Sequence, residues 1–385
     1  MDNLTVRARA VMPAGNTRST LFVPPAPPYA VRGSGACVTD DQGHQVIDAN
    51  NNYTSLIHGH ADPRILAAVS PLVNDGTAFG LPTEHEIALA ELLQRRFGLE
   101  HWRFSNSGSE AVATAIRAAR AFTGRPLLVR FAGSYHGTAD AVVDVSAPGI
   151  PGGVGHDVRV LPQGDRAALD DLMTREGARV AAVLIDLMPN RAGLVPAEPE
   201  FVAHLRELTT RHGALLIVDE VITLRLGPGG LHRRYDLRPD LVTTGKVIGG
   251  GFPVGAVGGR ADVLAVFDPL RDSPVGWGGT FSANPVSMVA GRTALEAFDD
   301  AAVDRLNRLG DDLRTALTAA GLDVSGLGSL LRLRTVPDLP RLWWAAYENG
   351  VLLGTNGLLA LSTPMTTEDL TSIEKAIVAA HRAAS

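Results

Sequence analysis

The chain has 385 residues, 45% of them hydrophobic and 20% charged, a balance that excludes a disordered or fibrous chain and supplies one or two closely packed domains. Its formal net charge of −6 leaves no basic footprint for nucleic acid and no polybasic anchor for a membrane. Of the 35 Lys+Arg residues two are lysines, Lys246 and Lys375, and 33 are arginines, so each lysine is informative.

Cys37 is the one cysteine, which rules out an intramolecular disulfide framework and a cysteine zinc cage. The N-terminus lacks the apolar stretch of a signal peptide, and no apolar run approaches the roughly 20 residues that span a bilayer. Cytoplasmic residence is expected.

In chain order, the first 50 residues are rich in Pro, Gly and turn signals and read as an extended arm with a small hairpin around Ala36-Cys37-Val38 and Gln45-Val46-Ile47. From about 60 to 295, helices and strands alternate. Ser107-Gly108-Ser109-Glu110 is a capping box opening a helix that Gly124 ends, and Leu127–Phe131 is strand-like. The apolar run Val180–Ile185 leads to Asp186, a helix spans Pro199 to His212 with Gly213 as its stop, and Leu215–Val218 runs into Asp219. Continuous apolar strands joined by helices predict an α/β fold with a mostly parallel sheet covered on both faces. After about 295 come a helix over Asp300–Ala320, short strands at Leu330–Leu333 and Leu358–Leu361, and a final helix over Thr367–Ala384. The expected domains are 1–50, an arm belonging to the small domain, 51–295, the large domain, and 296–385, a small α+β domain sharing its sheet with the arm.

Three features fall where such a sheet places its ligands, outside the carboxyl ends of the strands. The Ser107-Gly108-Ser109 turn opens a helix whose free N–H groups suit a phosphate, although an ordinary cap has the same sequence. Asp219 ends an apolar strand, where a carboxylate needs a cation: a protonated ring nitrogen, an arginine or a metal. Lys246, in Thr243-Thr244-Gly245-Lys246-Val247-Ile248-Gly249-Gly250-Gly251, is enclosed by glycines and apolar residues, and desolvation there favours the neutral amine that forms a Schiff base. The glycine spacing fits neither a dinucleotide fingerprint nor a P-loop. One cofactor uses all three devices, pyridoxal 5′-phosphate.

Taken with Asn106-Ser107-Gly108-Ser109-Glu110-Ala111, Tyr135-His136-Gly137, Asp219-Glu220-Val221-Ile222-Thr223 and Gly279-Thr280-Phe281-Ser282-Ala283-Asn284-Pro285, the chain resembles the fold type I, class III aminotransferases. It is similar to the branch containing glutamate-1-semialdehyde 2,1-aminomutase and the β-amino-acid (β-phenylalanine-type) aminotransferases, from about Pro13 to Asp369. The resemblance implies that Lys246 carries the cofactor and shuttles a proton, while Asp219 holds the pyridine nitrogen protonated. It implies further that Ser107, Gly108 and Ser109 bind the phosphate, that Tyr135 stacks on the ring, and that His136 and Val221 stand beside it. Thr280 matches a threonine that reaches the phosphate of the neighbouring subunit, which implies a homodimer with shared sites. Arg18, in Gly15-Asn16-Thr17-Arg18-Ser19, matches an arginine for the substrate carboxylate, and Tyr53 is expected to be a further substrate residue. His58 and His60 resemble a Gly-His-x-x-Pro stretch and are expected to be structural; no metal is expected.

Two departures stand out. The strand end that reads Glu-Pro in the family is Asp186-Leu187, followed by Met188-Pro189-Asn190-Arg191. Many class III transaminases also place an arginine for a donor carboxylate in the C-terminal domain, whereas this chain has none between Arg341 and Arg382. The implied activity is amino transfer to or from a small carboxylate-bearing substrate, with a β-amino or β-keto acid as the expected type. An intramolecular aminomutase is the alternative, favoured by Ala78-Phe79-Gly80-Leu81-Pro82-Thr83-Glu84, which resembles that branch's pocket segment. Racemase or lyase chemistry on the same cofactor and a non-catalytic binding protein are further alternatives.

Overall fold

A computed structural model describes residues 4–384. Two compact units emerge, one formed by 64–304 and the other by 1–63 together with 305–385.

The 64–304 unit is built on a seven-stranded sheet in the order His101–Ser105, Gly255–Gly259, Leu241–Gly245, Leu215–Asp219, Val180–Ile185, Leu127–Phe131, Val158–Leu161. Every pairing from Leu241–Gly245 to Val158–Leu161 is parallel, and Gly255–Gly259 runs antiparallel to both of its neighbours. The central strands are buried along their whole length, as expected of a sheet covered on both faces. Ala182, Leu184, Leu215 and Ile217 share one core cluster with Val112, Ala115 and Ile116 of the helix Gly108–Thr123. The alternating residues Val183, Leu216 and Val218 are equally buried and point to the other face by the two-residue period of a strand.

The antiparallel strand Gly255–Gly259 was not foreseen, because a Gly-Ala-Val-Gly-Gly run carries no strand signature. Close approach explains its composition. A Cβ on Gly255 would lie 2.0 Å from the Ser107 carbonyl, and one on Gly258 would lie 2.6 Å from the Trp102 ring. Helices Pro63–Asp75, Glu84–Phe97 and Pro285–Ala297 complete the frame.

In the other unit, Ala30–Ser34, Cys37–Asp40 and Gln45–Asp48 form an antiparallel meander. Val351–Leu352 adds to it in parallel, with Val351 opposite Ile47, so the two ends of the chain share one sheet. A second sheet joins Val324–Leu327, Leu330–Leu333 and Leu358–Ala360. The arm also contains a helix, Leu4–Val11, which its weak periodicity hid. Arg9 ties that helix to the Pro25 carbonyl at 2.9 Å.

Candidate active site

The carboxyl ends of three neighbouring strands deliver Asp186, Asp219 and Lys246. Asp219 is 4% exposed; its Oδ2 stands 2.7 Å from His136 Nδ1 and its Oδ1 accepts the Val221 N–H at 3.0 Å. With Nδ1 engaged by a carboxylate, the second ring nitrogen of His136 is buried and has no partner within the protein. Asp186 accepts the Met188 N–H at 2.9 Å. Burial, reinforced by the charge of Asp219, pushes its carboxyl up to about 7.

Lys246 leaves its strand with φ +50°, a conformation that costs a residue with a Cβ about 1 kcal/mol and is found where surrounding structure holds a functional side chain in place. The preceding Gly245 allows this bend to sit against the helix Gly108–Thr123: a Cβ there would lie 3.1 Å from the Val254 carbonyl and 3.6 Å from Gly108. Desolvation drives the Lys246 amine down to about 8, against the opposing pull of Asp219 and Asp186. Arg225, fully buried and itself lowered to about 9 by desolvation, pushes it in the same downward direction. Sequence reasoning missed Arg225, since one arginine among 33 has no contrast.

The turn at 107–110 forms as expected, with one difference. Ser107 Oγ accepts the Glu110 N–H at 3.2 Å, but the Glu110 carboxylate reaches back to the Asn106 N–H at 2.6 Å rather than to that of Ser107. Gly108 and Ser109 occupy the first helical positions, whose N–H groups have no acceptor inside the helix. Val221 lies over this end, and a Cβ on Gly108 would meet its methyl groups at 3.0 and 3.1 Å. Gly137, at φ +102°, leaves room for Ser109, whose Oγ would stand 2.4 Å from a Cβ there. The Tyr135 ring is 48% exposed, with the Arg191 guanidinium 4.4 Å from its centroid.

Thr280 is not part of this group: it is exposed and lines a cavity of about 260 Å³ with the Ala78–Thr83 segment. A larger cavity of about 670 Å³, bordered by Glu86, Trp102 and Trp277, likewise holds none of the ionisable residues around Lys246.

Arg18 and Tyr53 belong to the 1–63 and 305–385 unit. Arg18 donates to Asn52 Oδ1 at 2.8 Å, and the Tyr53 hydroxyl contacts the Thr20 carbonyl and Thr355 Oγ1. His58 pairs with Thr363 and His60 with Asp48, both at 2.8 Å, which gives each histidine a structural partner. Among the described residues no group of three His, Cys, Asp or Glu side chains could hold a metal.

The family model for aminotransferase class-III matches residues 23–380. The chain belongs to the class-III aminotransferases. Its relatives include a glutamate-1-semialdehyde 2,1-aminomutase of Thermomicrobium roseum, 43% identical over 75% of this chain and 70% of that protein. They also include a β-phenylalanine transaminase of Variovorax paradoxus, 37% identical over 93% of this chain and 87% of that protein. Among solved structures, an ω-transaminase from Sphaerobacter thermophilus superposes with a TM-score of 0.95 at 43% identity, covering 99% of this chain and 97% of that one.

As a fold type I class-III enzyme the protein uses pyridoxal 5′-phosphate. Its own residues fit that cofactor. The site offers an amine depressed toward neutrality, a buried carboxylate, free helix N–H groups, a half-exposed aromatic ring and the unpartnered Nε2 of His136. No helix among the described residues is long and apolar enough to cross a membrane.

Proposed function

We propose that this aminotransferase acts on a small β-amino or β-keto acid, with Lys246 as the residue that holds the cofactor and moves the proton. When bound, pyridoxal 5′-phosphate supplies an electron sink for the pair released at the carbon bearing the amino group. Lys246 Nζ, released when the substrate's amino group takes its place on the cofactor, would take the proton from that carbon and deliver it to the carbon on the far side of the nitrogen, desolvation having lowered the amine from an ordinary lysine's basicity. Asp219, its charge oriented by His136, keeps the cofactor's ring nitrogen protonated. Ser107, Gly108 and Ser109 bind the phosphate through the helix N-terminus, Val221 and Tyr135 border the ring, and Arg18 with Tyr53 receives the substrate carboxylate.

The observation that carries this reading is the depressed Lys246 amine beside the buried Asp219–His136 pair. The β-type substrate draws support from the Variovorax relative, which aligns over 93% of this chain. The test is amino transfer from a panel of α- and β-amino acids to a keto acid, with products resolved by chromatography. Turnover restricted to α-amino acids rejects the β assignment, and full activity in Lys246→Ala rejects the role of the lysine.

The second reading, an aminomutase, is favoured by the relative from T. roseum. One amino acid supplied without any keto acid separates the two: isomer formation supports the mutase, and a single stoichiometric half-reaction supports the transaminase.

We further infer a homodimer in which Thr280 serves the partner's site. Thr280 is exposed beside Phe281 at 60%, and Phe79, Leu81 and Ile87 leave more than half their surface in solvent, an apolar patch suited to a second copy. A monomeric mass by light scattering at micromolar concentration rejects it.

A further inference from the structure

We propose that Arg191 is the receptor for the distal carboxylate of a dicarboxylic amino or keto acid. This rests on the reading above, in which Arg18 takes the carboxylate nearer the reacting carbon.

The position of Arg191 is built rather than incidental. It follows the strand Val180–Ile185 by six residues, on the loop that leaves the sheet's carboxyl end through Asp186. The loop closes on itself: the Leu194 and Ala192 N–H groups donate to the Pro189 carbonyl at 3.0 and 3.2 Å, and the Ala197 N–H donates to Leu187 at 2.8 Å. It is also fixed to the segment that bears the ring and the histidine. Gly133 lies so close to the loop that a Cβ there would come within 2.7 Å of the Ala192 methyl. Two residues further on, Tyr135 carries the Arg191 guanidinium on its ring, and the next residue is His136, bonded to Asp219.

The chemistry of the guanidinium then points to an anion. Arg159, Arg206 and Arg260 are each bound to carboxylates, whereas Arg191 has no acid within ion-pair distance among the described residues. It is exposed, and its guanidinium carbon lies over the Tyr135 ring, 4.4 Å from the centroid. A guanidinium that rests on an aromatic ring and makes no ion pair has N–H donors to offer, in the fork geometry that grips a carboxylate. Stacking also pre-orders the side chain, so that less rotamer freedom is lost on binding. Because Arg191 is exposed above a half-exposed Tyr135 while Asp219 is buried, a carboxylate held there is the outer one of the substrate, remote from the atoms that react.

The test compares a five-carbon 2-oxo dicarboxylate with the five-carbon 2-oxo monocarboxylate as amino acceptors for the cofactor-loaded enzyme and its Arg191→Gln and Arg191→Lys variants. In parallel, the saturated five-carbon dicarboxylate and monocarboxylate are titrated by calorimetry, a readout independent of turnover. The wild type should prefer the dicarboxylate in both assays. Arg191→Gln should reduce the dicarboxylate-to-monocarboxylate ratio of kcat/KM by about 10- to 100-fold, expressed in KM, with a matching loss in the binding ratio. Arg191→Lys, which keeps the charge but not the fork, should recover part of it. A wild type without dicarboxylate preference overturns the proposal, as does an equal loss for both ligands in Arg191→Gln, the mark of a residue that only packs the loop. If the proposed amino-transfer reaction fails instead, turnover is absent with every acceptor while the calorimetric preference still reports on Arg191.

Discussion

His136 Nδ1 and Asp219 Oδ2 stand 2.7 Å apart, both side chains buried, and the backbone N–H of Val221 holds the other carboxylate oxygen. The two contacts fix the direction of the Asp219 carboxylate. Replacing Asp219 by Asn keeps the shape and the Val221 contact but removes the charge. The expected outcome is a loss of about 10²- to 10⁴-fold in kcat, in line with removal of an electrostatic or proton-holding group. Steady-state kinetics checks it, with circular dichroism confirming that the fold is kept; a loss below tenfold would reject the role of Asp219.

Lys246 predicts a pH profile. Its amine is pushed down to about 8 by desolvation, so below that pH it is mostly charged and cannot attack a carbonyl, and above it the neutral form dominates. Capture of pyridoxal 5′-phosphate by the apoenzyme, followed by its visible absorbance, should therefore rise with pH to a half-point near 8. An ordinary lysine would put that half-point near 10.5. A rise beginning only above pH 9.5 contradicts the assignment.

Asp186 gives the opposite dependence in stability. Its carboxyl, pushed up to about 7 in the folded chain, lies above the ordinary 3.8, so the folded apoenzyme binds a proton that the unfolded chain has released between those values. That contribution is fully present at low pH and is lost as pH rises through about 7. Asp186→Asn keeps an oxygen for the Met188 N–H without the buried charge. It should stabilise the apoenzyme at pH 8 by roughly 2–4 kcal/mol, and by clearly less at pH 5. Urea denaturation at the two pH values measures the difference; equal effects at both remove the buried charge as the cause.

What the sequence makes legible follows from how local each signal is. The helix Pro199–His212 with its Gly213 stop, the strand ending at Asp219 and the Ser107 cap are encoded within a few residues, and each forms close to where its signal lies. Lys246 stands out by composition and enclosure alone. The strand Gly255–Gly259 is illegible because its glycines answer to Ser107 and Trp102, more than 140 residues away. The contact between Arg191 and Tyr135 is likewise a meeting of two loops that no spacing rule links. The turn Asn51–Thr54 is hidden for another reason: all four residues are left-handed, with φ of 51°, 48°, 53° and 76°, a conformation held by side-chain bonds from Asp48 and Asn51, one of them to distant Ala360.

Those bonds define the last prediction. Asn51, fully buried, donates through Nδ2 to the Asp48 carbonyl at 2.9 Å and to the Ala360 carbonyl at 2.6 Å, while Asp48 Oδ1 accepts the Asn50 and Asn51 N–H groups at 2.9 and 2.7 Å. The turn so held presents Asn52 to Arg18 and aims Tyr53 at Thr20 and Thr355. Asn51→Ala removes both donors and places a residue with a Cβ and no amide at φ +51°, and should destabilise the protein by about 2–4 kcal/mol. Asn51→Gly removes the same donors but relieves the backbone, so it should cost about 1 kcal/mol less than the alanine variant. Chemical denaturation of both variants separates the two contributions. Identical losses show that the left-handed backbone carries no strain, and losses below 0.5 kcal/mol, on the order of an ordinary surface change, show that Asn51 does not hold the turn.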